Sequence, residues 1–161
     1  MPPIAGCGVV DGALGRVTVT MGSESMEPAI KRGSTVSARR TDDAYVPRRG
    51  DIIIYRAPAD WTAVRAGGTY ISRVIGVPGD RVACCDNPSA ALQVNGAPVK
   101  EPYIPSGPAS AKWFDITVPQ DRVWVMSDNR HVSRDSRAEM DKAGGGTIGR
   151  SDVLGVVTES S

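Results

Sequence analysis

No apolar run in this chain is longer than a single β-strand. The strongest, Ile52-Ile53-Ile54-Tyr55 and Val123-Trp124-Val125-Met126, fall far short of the roughly 20 residues a membrane-spanning helix needs. Between such runs stand 18 glycines and 12 prolines, which cut the Val-, Ile- and Thr-rich segments before a helical period can establish itself. A chain punctuated in this way folds as many short strands, so the expected fold class is mostly β, with antiparallel sheets. Its 161 residues suffice for one domain with its own core, or for a core carrying a smaller attachment.

Read along the chain, residues 1–16 are small, weakly apolar and interrupted by Gly and Pro, and lack a membrane anchor. Val17-Thr18-Val19-Thr20 alternates like an edge or half-buried strand and runs into the turn-rich Gly22-Ser23-Glu24-Ser25-Met26-Glu27-Pro28, so that a strand delivers Ser25 to a bend. Asp51–Arg56 reads as a buried strand, 57–68 as a loop, and Tyr70–Val77 as a further strand closed by Pro78-Gly79-Asp80. The texture then changes, with a hairpin signal at Asn95-Gly96. The expected organisation is a β core from 17–82 and 119–157 with an inserted β appendage at 83–118. Asp121–Met126 returns as a core strand, Ser127–Arg137 is a polar loop, and Ile148–Val157 closes the sheet.

Lysine and arginine number 19 against 18 acidic residues, which gives no electrostatic case for a nucleic-acid partner. A metal site is not expected either, because His131 is the only histidine and Cys7, Cys84 and Cys85 are the only cysteines. No cofactor is implied. A disulfide between Cys7 and one of the pair, or one within the pair, would suit an oxidising compartment equally well.

For a serine to attack an amide, something must remove its proton and something must hold the oxyanion. No Gly-x-Ser-x-Gly elbow surrounds Ser25, and His131 reads as a solvated loop residue. What stands out is an ordered set of blocks: Ser23 to Pro28, Arg49-Gly50-Asp51-Ile52, Tyr70 to Asp80, and Ser127-Asp128-Asn129-Arg130 continuing to Ser133-Arg134-Asp135-Ser136-Arg137. In these blocks the chain resembles the bacterial type I signal peptidases, serine endopeptidases with a Ser-Lys dyad on a β fold. The vicinal Cys84-Cys85-Asp86 is similar to actinobacterial members.

The resemblance implies a signal-peptidase-like catalytic β core with Ser25 as the acylated nucleophile. The Ser25 N–H and the Ser23 hydroxyl would form the oxyanion hole. Ser133 would orient the base, and the pairs Arg73–Asp128 and Asp135–Arg137 would support the site. Met21, Met26, Ile30, Tyr70 and Ile71 would line apolar pockets for small residues before the cut. The implied partners are signal peptides of exported preproteins and a membrane surface, at the extracytoplasmic face of the plasma membrane. One position departs from the pattern: the family's lysine base is replaced by Ser72, which cannot accept a proton near neutral pH. Ser127 also stands where the family has glycine. The expectation is therefore an Ala-x-Ala-directed signal peptidase impaired by the loss of its base, or a catalytically inactive homologue that binds extended peptides. The related self-cleaving repressors would need a DNA-binding segment ahead of the serine.

Overall fold

The computed structural model describes residues 8–11, 15–132 and 134–160. Most of its regular structure is antiparallel strand. The larger sheet contains β1 (Gly8–Asp11), β2 (Arg16–Thr20), β3 (Thr35–Arg40), β4 (Ile52–Arg56), β5 (Thr69–Gly76), β10 (Arg122–Met126), β11 (Ile148–Gly149) and β12 (Val153–Ser160). Their spatial order is β1-β2-β3-β12-β4-β5-β10-β11. The smaller sheet has the order β8-β7-β6-β9, built from β6 (Arg81–Cys84), β7 (Leu92–Val94), β8 (Ala97–Pro98) and β9 (Phe114–Thr117).

The large sheet is apolar on both faces, which explains the unbroken apolar runs of its central strands. Ile53 and Tyr55 of β4 join Tyr70, Val74, Val123 and Val125 in one cluster. Ile54, from between them, joins Val17, Val19, Val36, Ala38 and Ile71 in another on the opposite face. The alternation in β2 and β3 sets their register, Val17 opposite Ala38 and Val19 opposite Val36, so the buried residues of both strands share one face.

Of the two readings of residues 17–20, the half-buried strand is the one found, with Val17 and Val19 buried, while β1 pairs along it from Gly8↔Thr20 to Asp11↔Val17 and removes the edge. One strand expectation changes. The stretch 148–157 does not act as one closing strand. Its start, β11, pairs with β10, whereas β12 inserts between β3 and β4 at the middle of the sheet. Gly155 makes that insertion fit: a Cβ there would lie 3.0 Å from both the Ala38 Cβ and the Arg39 carbonyl oxygen.

The small sheet packs onto β5 and β10 through a third cluster, in which Ile75, Trp124 and Met126 meet Val82, Leu92, Phe114 and Val118. The β7–β8 hairpin turns at Asn95-Gly96, where positive φ values of 54° and 85° match the primed turn this dipeptide favours. Cys84 is disulfide-bonded to Cys85; Cys7 lies outside the described residues. No helix among the described residues is long and apolar enough to cross a membrane.

Candidate active site around Ser25

The bend after β2 is closed by its own backbone. Met21 N–H donates to the Ser34 carbonyl (2.9 Å), Gly33 N–H returns to Met21 (2.8 Å), and Ile30 N–H donates to Met26 (2.8 Å). Met26, fully buried, pins this loop into the cluster formed with Met21, Ile30 and Ile71. Ser25 is left half-buried at the surface of that anchor. Its hydroxyl lies 3.0 Å from the Ser23 hydroxyl, and its N–H donates to Ser23 Oγ at 3.3 Å.

A second loop grips the first. Asn129 donates its N–H to the Ser25 carbonyl at 2.9 Å and its side-chain amide to the Glu24 carbonyl at 3.2 Å. The Asp128 N–H faces the Met26 sulfur at 3.5 Å. Consecutive residues of the 128–129 turn thus hold consecutive residues of the serine bend.

That turn is fixed by charge. Asp128 accepts two hydrogen bonds from Arg73 of β5, at 2.8 and 2.6 Å, and Arg73 also donates to the Gly50 carbonyl at 3.0 Å. Burial works against the Arg73 charge, but the Asp128 carboxylate outweighs it and leaves the guanidinium pKa above its ordinary value. The Tyr103 ring lies against Arg73, 3.9 Å from centroid to guanidinium carbon, with Arg130 on the same ring at 5.9 Å. Such contacts are worth more where water is excluded. Burial raises the pKa of the Tyr103 phenol, and Glu101, which accepts its hydrogen bond at 2.8 Å, raises it further. Glu101 also pairs with the buried Arg130.

Asp135 and Arg137 are both fully buried and doubly bonded, at 2.9 and 2.7 Å. Asp135 additionally accepts the Ser127 N–H at 2.8 Å, while Arg137 donates to the carbonyls of Arg130 and Val132. The polar loop of the sequence is therefore largely an interior one, whose charges are satisfied in place. Ser127 occupies the glycine position without strain: positive φ among the described non-glycine residues occurs at Ala90, Asn95 and Asp121.

Ser72 is buried in β5 opposite Ile53. Alternation along the strand turns it to the same side as Tyr70 and Val74, and its hydroxyl is 3.1 Å from the Tyr55 hydroxyl. Among the described residues, the Ser23–Ser25 and Tyr55–Ser72 pairs are not hydrogen-bonded to one another. Tyr55 is braced by Trp61, edge to face at 6.2 Å. The Trp61 loop is held by Glu139, which is fully buried and accepts the N–H groups of Thr62 and Ala63 at 2.8 and 2.7 Å.

The named apolar residues divide between two places. Met21, Met26, Ile30 and Ile71 lie together. Tyr70 is in the cluster on the other face, its hydroxyl accepting from Arg65 N–H at 2.8 Å. Ser133 lies outside the described residues. His131, Lys31, Lys100 and Lys112 are exposed, and Lys142 pairs with Asp141.

Sequence reasoning assigned no role to Asn129, Tyr55, Tyr103, Glu101 or Arg130. Asn129 and Arg130 lay within a quoted block, and Tyr55 lay in a strand read only as core. Nothing local distinguishes Glu101 and Tyr103, since their partners come from β5 and the 127–130 turn.

Residues 13–160 match the family described as "Signal peptidase, peptidase S26". The chain is 33% identical over 157 aligned residues to Signal peptidase I of Mycobacterium tuberculosis (strain CDC 1551 / Oshkosh), an alignment covering 72% of this chain and 53% of that protein. It is 38% identical over 99 residues to Signal peptidase I P of Bacillus subtilis subsp. natto, covering 56% and 48%. It thus spans about half the length of these curated relatives. The crystal structure of a signal peptidase I from Enterococcus faecalis V583 superposes with a TM-score of 0.54 at 28% identity, covering 71% of this chain and 98% of that one.

Proposed function

Because the chain belongs to the signal peptidase family, peptidase S26, we propose that it is a serine endopeptidase whose nucleophile is Ser25. Its substrates are signal peptides of exported preproteins, cut after small residues in an Ala-x-Ala pattern. It works at the extracytoplasmic face of the plasma membrane.

The observation that carries this reading is the grip of Asn129 on the Ser25 carbonyl, backed by the Arg73–Asp128 pair. Two separated segments, the 128–129 turn and β5, spend polar groups on holding the bend of one half-buried serine, more than a chance turn serine needs. The substrate adds as a strand between the segment before Ser25 and the start of β5, because backbone pairing holds an extended peptide without reading most of its side chains. Side chains before the cut then fall near Met21, Met26, Ile30 and Ile71. Ser25 Oγ attacks the scissile carbonyl. The Ser25 N–H and the Ser23 hydroxyl, paired with each other at rest, turn to the oxyanion. One such donor is worth about 10²–10³ in rate in other serine enzymes.

The proton of Ser25 is the weak point. Ser72 presents a hydroxyl, bonded to that of Tyr55, where the family places an amine, so turnover by this chain is slow. The same hydroxyl pair favours a second reading, in which the chain binds extended peptides without cutting them.

Cleavage of a fluorogenic peptide carrying Ala-x-Ala before the cut, in detergent, tests both. Ser72→Lys is expected to cut at least about 10²-fold faster than the parent, the usual contribution of a general base, and Ser72→Lys combined with Ser25→Ala to cut not at all. If the parent and Ser72→Lys both bind the peptide yet leave it intact, the binding reading stands. Turnover that survives Ser25→Ala overturns the assignment of the nucleophile.

A further inference from the structure

A groove opens beside the turn that holds Ser25. Its volume is about 80 Å³, room for two or three waters or one small to medium side chain. Its lining comes from two segments, 104–111, including Ser106, and the 128–131 turn, including Asn129 and His131. The same Asn129 donates its N–H to the Ser25 backbone carbonyl, so the groove adjoins the bend that carries the nucleophile.

Its width is fixed from within. Arg130, 7% exposed, donates to the Ala109 carbonyl at 2.9 Å on one side and to the Ser127 carbonyl at 2.8 Å on the other, and pairs with Glu101. Breaking either wall would strand a buried charge, so the walls keep their spacing. The charged groups at the groove are already committed: Arg130 to Glu101, and Asp128 to Arg73. Two of the wall residues are prolines, which have no N–H to offer a pairing strand. The rest of the lining is the apolar Ile104, Pro105, Pro108 and Ala111 with the neutral Ser106 and Asn129 and the His131 ring beside them, a surface that suits an uncharged side chain.

On the reading proposed above, residues before the cut lie against β5 and the Met21–Met26 segment. The peptide beyond the scissile carbonyl runs away from those residues, and the groove, carried by the turn whose Asn129 holds the Ser25 and Glu24 carbonyls, is the concavity beside the serine bend that is open to it. We infer that the groove is a specificity subsite for the first two residues after the cut, and that it takes a small or medium uncharged side chain. The inference rests on the proposed peptidase or peptide-binding reading.

His131 is the only histidine in the chain, so its imidazole resonance is a unique reporter of the groove. Two peptides are titrated into the Ser25→Ala protein: one ending in Ala-Gln-Ala amide, and the same peptide continued by Ala-Leu-Thr amide. The longer peptide is expected to bind about tenfold tighter, the effect of burying one aliphatic side chain in part, and it alone should shift the His131 signal. Replacing its Leu by Lys should remove the gain. Ala111→Trp, which fills the groove, should bring the longer peptide down to the affinity of the shorter. If both peptides bind equally, moving the methyl signals of Ile71 and Met26 but not His131, the subsite is overturned while the peptide-binding reading stands. If neither peptide binds, that reading fails and the subsite falls with it.

Discussion

Asp80 sits where burial and pairing pull in opposite directions. Burial raises its pKa, but Arg49 at 2.7 and 2.6 Å, the Val77 N–H and the Asn95 amide together hold it below the ordinary carboxylate value. A carboxyl whose pKa is lower in the folded than in the unfolded chain stabilises the fold above its unfolded pKa, near 4. That stabilisation is lost as the pH falls through the folded value. Asp80→Asn is therefore expected to lose about 1–3 kcal/mol at pH 7, the scale of one charge-assisted buried cluster. The gap to the parent should narrow from pH 7 to pH 3 and go on shrinking as the pH falls through the folded value, as measured by urea titration across that range. The residue also shows what a motif can and cannot announce. Asp80 and Arg49 stood in separate blocks of the sequence, each readable as a turn. Their contact couples the Arg49-Gly50-Asp51 turn to the end of β5, and no local signal in either block names the other.

At the scale of elements, the junction between the two sheets turns on Gly76. A Cβ there would come within 2.7 Å of one Val82 methyl and 2.9 Å of one Val118 methyl, closer than real Cβ contacts allow. Gly76→Ala is expected to cost about 1–3 kcal/mol by overpacking, and adding Val82→Ala should recover part of it. Thermal unfolding of the parent, the single and the double variant tests this. The strands themselves were legible from short apolar runs, alternation and the Asn95-Gly96 turn, because strand propensity and side-chain period are local properties. The status of a strand within its sheet was not legible. The alternating Val17–Thr20 reads as an edge or a half-buried strand, and β1 decides between them by pairing along it, since alternation reports the faces of a strand and not its sides.

Taking the molecule whole, its continuity depends on its last strand. β12 joins β3 to β4 and so connects the half of the sheet carrying the serine bend to the half carrying β5 and β10. Removing residues 153–160 should leave two part-sheets with unpaired edges and abolish cooperative unfolding. Far-UV circular dichroism with a denaturant titration would show a broad or absent transition, and a retained sharp one would disprove the dependence. The β character of the chain, the bend at Ser25 and the order of the polar blocks, with Ser72 in the third of them, are local properties. Each of these is written in neighbouring residues. That β12 lies centrally, that Tyr55 meets Ser72, that the ring of Tyr103 lies against two guanidinium groups and that Asn129 holds the Ser25 carbonyl follows from long-range packing alone. These contacts join residues far apart in the chain, and the cost of closing a loop rises only slowly with its length. Many pairings are thus almost equally open to the unfolded chain, and the choice among them falls to which arrangement buries every apolar face while leaving no charge unpaired.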